Sequence, residues 1–213
     1  MKKLCRFVIL LLLTGFYFTE TTHASLVITE IMSQSMHETD TNGDWWELTN
    51  TSPSSVYLTG YSWDDSSGVP GTIVFDSITI DAGESIIILD EDPTKIDAWK
   101  TCWGLGTEVN VYAKDSFTFS DAFPEFGGSD GIFVYDSSDL QVAHVSYPTQ
   151  TDGFSNAWDI NTTFLGISSE GQYGAWQSSC SSPDVGSPGL AIPEPCSIVL
   201  LVLGASLLQK RKS

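Results

Sequence analysis

Positive charge is scarce in this 213-residue chain, with nine Lys and Arg against 27 Asp and Glu. Six of the nine sit at the ends, in Lys2, Lys3 and Arg6 and in Lys210, Arg211 and Lys212. Between residues 25 and 192 there is no arginine at all. Only Lys95, Lys100 and Lys114 stand there against 25 acids, a net charge near −22. Without clustered Lys or Arg, phosphate-backbone recognition is excluded, and docking on anionic lipid is disfavoured. Histidine is equally scarce. Past the first 24 residues only His37 and His144 remain, His37 in a polar loop and His144 in a strand-like run. No two-His, His/Cys or C-x-x-C spacing offers a zinc site. No G-x-S-x-G motif offers a nucleophile elbow. The glycine-rich 127–131 stretch leads into a strand with neither lysine nor helix, so it reads as a turn, not a phosphate cradle.

What is present begins with two terminal addresses. Lys2, Lys3 and Arg6 precede an apolar run from Phe7 to Phe18, and Thr22-His23-Ala24 supplies small residues at a cleavage site. This predicts a secretory signal helix over 1–24, cut by signal peptidase between Ala24 and Ser25. At the other end, over 190–213, Pro193-Glu194-Pro195 precedes the mostly apolar helix-forming segment Cys196 to Leu208, and a basic cluster over 209–213 closes the chain. Thirteen residues rise about 20 Å as a helix, short of a hydrocarbon core of about 30 Å. The segment is therefore a marginal anchor, with its basic end cytoplasmic and the bulk of the chain outside. The three parts in order resemble the PEP-CTERM sorting signal. That resemblance implies recognition of Pro193, Glu194 and Pro195 by an exosortase-type membrane protease that removes the tail. The expected itinerary is export across the inner membrane, transient anchoring by the tail, then the cell surface or extracellular matrix.

Cys5 and Cys196 belong to these end segments, which leaves Cys102 and Cys180 in the domain. An isolated pair in an oxidising compartment is a disulfide candidate; two unpaired thiols are the alternative.

Residues 25–189 are enough for one domain with a sizeable core. Short β-type runs alternate with Gly, Ser, Asp and Pro: 26–31, 44–49, 56–58, 72–75, 77–80, 85–89 and 108–113. Residues 131–135 and 140–145 flank a turn and read as a hairpin. Asp92-Pro93 begins the one contrary stretch, with Ile96, Trp99 and Trp103 at helical spacing and Gly104 after it. Asp92 suits an N-cap and Pro93 the first helical position, so a short helix is expected over 93–103. Residues 148–189 carry little periodicity and are expected to wrap the domain as loops with one or two short strands. The class is all-β, a sandwich with one inserted helix.

Leu26-Val27-Ile28-Thr29-Glu30-Ile31-Met32 followed by Asp44-Trp45-Trp46-Glu47-Leu48-Thr49-Asn50 resembles the opening of a lamin tail domain, with its I-T-E-I and W-x-E-L-x-N strands. Val56 to Trp63, Ile80 to Glu84 and Gly131 to Tyr147 resemble the family's next elements, and Gly186-Ser187-Pro188-Gly189 its S-P-G close. The resemblance implies an immunoglobulin-like fold in a surface or secreted module. It does not by itself fix a function.

Several residues invite a chemical reading. Asp40, Asn42 and Asp44, with Glu47 beyond, have the D-x-N-x-D spacing of calcium loops, although Gly43 precedes Asp44 and no Glu closes a 12-residue loop. The same residues also suit a polar turn before a strand. No cofactor is expected; calcium is the alternative, in a calcium-dependent adhesion module. Glu30 and Glu47 fall on adjacent strands and face one another; a carboxylate pair in an open cleft would suit a glycosidase, whereas a structural role needs no cleft. Asp90-Glu91-Asp92 reads as a solvated turn or a second cation site. Trp45 and Trp46 are adjacent and must point to opposite faces of a strand, which leaves one expected to be exposed. Trp63, Trp158 and Trp176 fall in loop-like context, as packing or as sugar platforms. The chain is thus expected to be a non-enzymatic surface module binding a protein or exopolysaccharide partner.

Overall fold

The computed structural model describes residues 26–36, 43–120, 122–124 and 126–191. Ala24, Ser25, His37, Asp40, Asn42, Pro193, Glu194, Pro195 and both expected terminal helices lie outside them. Among the described residues no helix is long and apolar enough to cross a membrane.

Ile28 and Ile31 both enter one apolar core, although strict alternation would send them to opposite faces. A bulge between Ile28 and Glu30 resolves this. Two consecutive polar residues, Thr29 and Glu30, therefore turn to the other face, and the I-T-E-I pattern is a bulged strand written in sequence. This strand, β1 (Leu26–Met32), pairs with β2 (Trp45–Asn50), and β2 pairs with β7 (Ser85–Leu89). With β8 (Asn110–Tyr112), β12 (Asn156–Trp158) and β13 (Phe164–Ile167) they form a six-stranded sheet in the order β13-β12-β1-β2-β7-β8. Its pairs are antiparallel except β7 with β8.

The opposing sheet has five strands in the order β11-β10-β4-β5-β9. They are β4 (Ser62–Asp64), β5 (Ile73–Phe75), β9 (Phe117–Phe119), β10 (Asp130–Tyr135) and β11 (Gln141–Tyr147). Two small ribbons complete the set: β3 (Val56–Tyr57) with β6 (Thr79–Ile80), and β14 (Trp176–Gln177) with β15 (Val185–Gly186). The result is an immunoglobulin-like sandwich.

Trp46, Leu48, Ile86 and Ile88 meet Trp63, Ile73, Ile132 and Val134 between the two sheets. Trp63 is the hub, with ring centroids 5.3 Å from Trp46 and 5.1 Å from Phe123. A second core lies on the outer face of the six-stranded sheet, where Met32, Trp45, Ile87 and Leu89 pack under helix α1 (Ile96–Trp103) through Trp99 and Trp103. The helix begins as expected. Asp92 accepts from the Thr94 N–H at 2.9 Å over a 3-10 turn at Pro93–Lys95, and Gly104 ends α1 in the left-handed region.

Three expectations change. Neither Trp45 nor Trp46 is exposed; both are fully buried, because α1 covers the face that a two-layer sandwich would leave to solvent. Residues 148–189 hold four short strands rather than one or two, and β12 and β13 extend the main sheet. Trp63 and Trp158 lie within strands and are buried, and Trp176 in β14 is partly buried against Trp103. Short strands such as β4 and β9, three residues each, offer too few positions for a period-2 pattern to stand out.

Cys102, near the end of α1, is disulfide-bonded to Cys180, with Cα atoms 5.2 Å apart and a sequence separation of 78. The Ser179 N–H donates to the Cys102 carbonyl at 2.7 Å, and the Trp176 indole N–H to the Trp103 carbonyl at 3.1 Å. The chain after β13 is thereby strapped to the helix. Opening a loop of this length costs about 4 kcal/mol in the chain-entropy picture, which is on the order of 10 °C in melting temperature for a domain this size. Thermal melts with and without a thiol reductant check this; equal midpoints would mean that the strap holds without the bond.

Candidate functional site

The bulge in β1 sets Glu30 directly opposite Glu47 of β2. Both side chains lie on the outer face of the six-stranded sheet, and both are buried, 1% and 0% exposed. No lysine, arginine or histidine bonds to either carboxylate among the described residues. Hydroxyls and backbone N–H groups converge on them instead. Glu30 accepts from the Ser187 N–H at 2.8 Å, the Ser187 hydroxyl at 2.7 Å, the Ser155 hydroxyl and, more weakly, the Ser168 hydroxyl at 3.5 Å. Glu47 accepts from the Thr29 hydroxyl at 2.5 Å and the Gly189 N–H at 2.6 Å. Thr29, Thr49 and Ser85 continue the hydroxyl chain beside Glu47.

The lid on this pair is the segment 186–189. A side chain at Gly186 would meet the Glu30 carboxylate at 2.9 Å, and Gly189 sits at φ +80°, which favours glycine. The three stretches that resemble family signatures, I-T-E-I, W-E-L-T-N and G-S-P-G, therefore meet at one buried point. Sequence reasoning found the two acids and quoted the closing motif, but it did not connect them. Ser155 and Ser168 carried no local signal.

Burial raises both carboxyl groups, since ionisation without water is costly. The Glu30 group is held above the ordinary carboxylate range by burial, offset by its hydroxyl and N–H donors. Glu47 is pushed up to about 8, by burial first and then by the neighbouring charge of Glu30. A glycosidase pair must flank a substrate bond. Here the space between the carboxylates is filled by the lid and the serines, with no cleft for a sugar ring, and the pair works as an internal polar knot.

The other candidates among the described residues are already engaged, and Asp40 and Asn42 of the expected calcium set lie outside them. Asp44 accepts from the Ser35 N–H at 2.9 Å and is pushed up to about 7 by burial. Glu47, the outer member of the expected calcium set, points into the knot. Among the described residues no group of three or more His, Cys, Asp or Glu could hold a metal. In Asp90-Glu91-Asp92, Asp90 pairs with Lys114 at 2.7 Å and Asp92 caps the turn before α1. His144 stacks on Phe133 with centroids 4.0 Å apart, and burial holds its imidazole below the usual histidine range. No tryptophan offers an open face: six are buried and Trp176 leans on Trp103 at 5.9 Å.

The profile of a family described as Lamin Tail Domain matches residues 19–149. No curated protein matches the chain. The profile ends before β12, so the strap and the lid over the carboxylates lie beyond it.

Proposed function

Because the chain belongs to the lamin tail domain family, whose fold is immunoglobulin-like and generally non-enzymatic, we propose that it is an exported, non-catalytic module. It reaches the cell surface or extracellular matrix through its PEP-CTERM-like tail and binds a protein or polysaccharide partner there. The sealed Glu30–Glu47 pair supports the non-catalytic part, because the most suggestive acids in the chain hold the strap down. The Cys102–Cys180 disulfide carries the export part. Such bonds persist in oxidising compartments and are rare in reducing ones. The order of basic n-region, apolar run and small residues at Ala24, and of Pro193-Glu194-Pro195, apolar segment and basic end, supplies the two addresses.

Intact-mass measurement of the surface-located protein tests the itinerary. The expected species begins at Ser25 and lacks the segment beyond the Pro193-Glu194-Pro195 motif. Surface-located protein that keeps the whole of 193–213 would refute sorting by removal of the tail.

A further inference from the structure

The two sheets are unequal, and the difference falls at one edge. β11 ends the five-stranded sheet and lies against β1, while β12 and β13 continue the six-stranded sheet past it. The overhang is two strands, about 10 Å at ordinary strand spacing. Trp158 of β12 is buried in the core between the sheets, and the inner face opens only at β13. Phe164 of β13 leans on buried Trp158 at 5.2 Å yet is 45% exposed. A groove of 470 Å³ lies along this step, with 141–144 of β11 on one wall, 160–162 on the other, and Leu26 and Val27 at its base.

The groove's wall is an unusual edge. Among the described residues nothing pairs with the outer side of β11. The other outermost strands, β8, β9 and β13, have three or four residues, whereas β11 has seven. Exposed edges are ordinarily blunted by charge, proline or brevity. Gln141 to Tyr147 contains no charged residue and no proline, within an acid-free run from Leu140 to Thr151 in a domain near −22. Val142, at 38%, and Leu140, at 67%, add exposed apolar surface.

We propose that the free edge of β11 accepts one extended strand from a partner polypeptide, uncharged and alternately apolar in its middle and carrying Lys or Arg at its flanks. This rests on reading the domain as a partner-binding module. Backbone N–H and C=O groups along β11 provide the pairing, and the 160–162 turn with the open face of β13 buries alternate side chains of the guest. The basic flanks follow from the acids next to the ends of the strand in the chain, Asp136 and Asp139 between β10 and β11 and Asp152 after β11. A sugar is disfavoured because the groove's lining contains no Trp, Tyr or Phe, and Phe164, outside that lining, already leans on Trp158. A second copy is disfavoured because two domains near −22 repel. Antiparallel pairing of two β11 edges would also bring both overhangs to the same side, where they collide.

The test uses the purified protein and two synthetic peptides of equal charge, KTVTVTVK and KTPTPTPK, the second unable to pair as a strand. KTVTVTVK is expected to bind with a dissociation constant below about 1 mM, to slow amide exchange across 141–147, and to lose about tenfold in affinity with Val142→Lys. Equal binding of both peptides, no binding at about 1 mM, or unchanged exchange in β11 would overturn the proposal. So would a dimer in sedimentation that Val142→Lys dissolves, since the occupant would then be a second copy. If the peptide fails while the processed protein is still found at the surface, the edge proposal falls and the surface reading stands. If the peptide binds but the protein is never exported, the reverse holds.

Discussion

Trp45→Ala is expected to lower the unfolding free energy by about 3–5 kcal/mol, the range for deleting a large buried aromatic side chain. Trp45 lies where β2 meets α1. Its ring centroid is 5.9 Å from both Trp99 and Trp103, edge to face at 75° and 81°. It is fully buried, and Ile87 and Leu89 of the next strand belong to the same cluster. Removing it opens a cavity under the helix that neighbouring indoles fixed by a disulfide and by the Trp176 hydrogen bond cannot collapse to fill. Chemical denaturation reads the effect as a lower midpoint at unchanged slope. Trp176→Ala is the control, since that ring is only partly buried and its loss should cost less than half as much. If Trp45→Ala does not fold, Trp45→Phe should still be destabilised. A loss under about 1 kcal/mol for Trp45→Ala would mean that α1 is not held to the sheet through this residue.

The second large effect is a dependence of stability on pH with the opposite sense to ordinary acid denaturation. Glu47 would lose its proton near 4.5 in the unfolded chain and holds it to about 8 in the folded one. The folded state binds more protons between these values. Stability is therefore full below about pH 4.5 and drains as pH rises through 8. The shift corresponds to at most about 5 kcal/mol. Glu30 shifts in the same direction by burial, as does Asp44, whose carboxyl is pushed up to about 7. The groups around the Glu30–Glu47 pair are the hydroxyls of Thr29, Thr49, Ser85, Ser155, Ser168 and Ser187 and the N–H groups of Ser187 and Gly189. None of these carries a compensating positive charge. Denaturation midpoints from pH 5 to pH 9 should fall steadily. Glu47→Gln keeps the shape and an acceptor for the Gly189 N–H, and its amide can donate to the Thr29 hydroxyl in place of the bond Glu47 accepts there, so it should flatten most of the slope while raising stability at the alkaline end. A wild-type profile that rises over this range would show that the carboxylates are ionised and well solvated in the folded protein.

Local chemistry made much of the fold readable. The Asp92-Pro93 start and Gly104 stop of α1 follow from a capping side chain, a fixed φ and a left-handed glycine. β1, β2, β7, β10 and β11 are long enough for their apolar pattern to be counted. The I-T-E-I stretch was recognisable as a signature, but its meaning as a bulge was not, because a bulge is visible only against the partner strand. β12 and β13 were hidden for a similar reason. Asn156-Ala157-Trp158 is three residues long with a polar residue buried in it, and only its pairing with β1 makes it a strand.

The candidate site divides along the same line. Opposed acids on adjacent strands were predictable from Glu30 and Glu47. Whether they stood in a cleft or under a lid depended on Ser187 and Gly189, 157 and 142 residues away in sequence.

The sequence alone determined the β class, the short helix and the acidity near −22. Each rests on local periodicity, fixed backbone preferences or a count of charges, none of which requires knowing what lies opposite. Tertiary structure alone decided that β2 is covered on both faces, that Glu30 and Glu47 are sealed, and that no other described strand pairs with the outer side of β11. Burial and exposure belong to pairs of surfaces, and the second surface in each pair comes from a distant part of the chain.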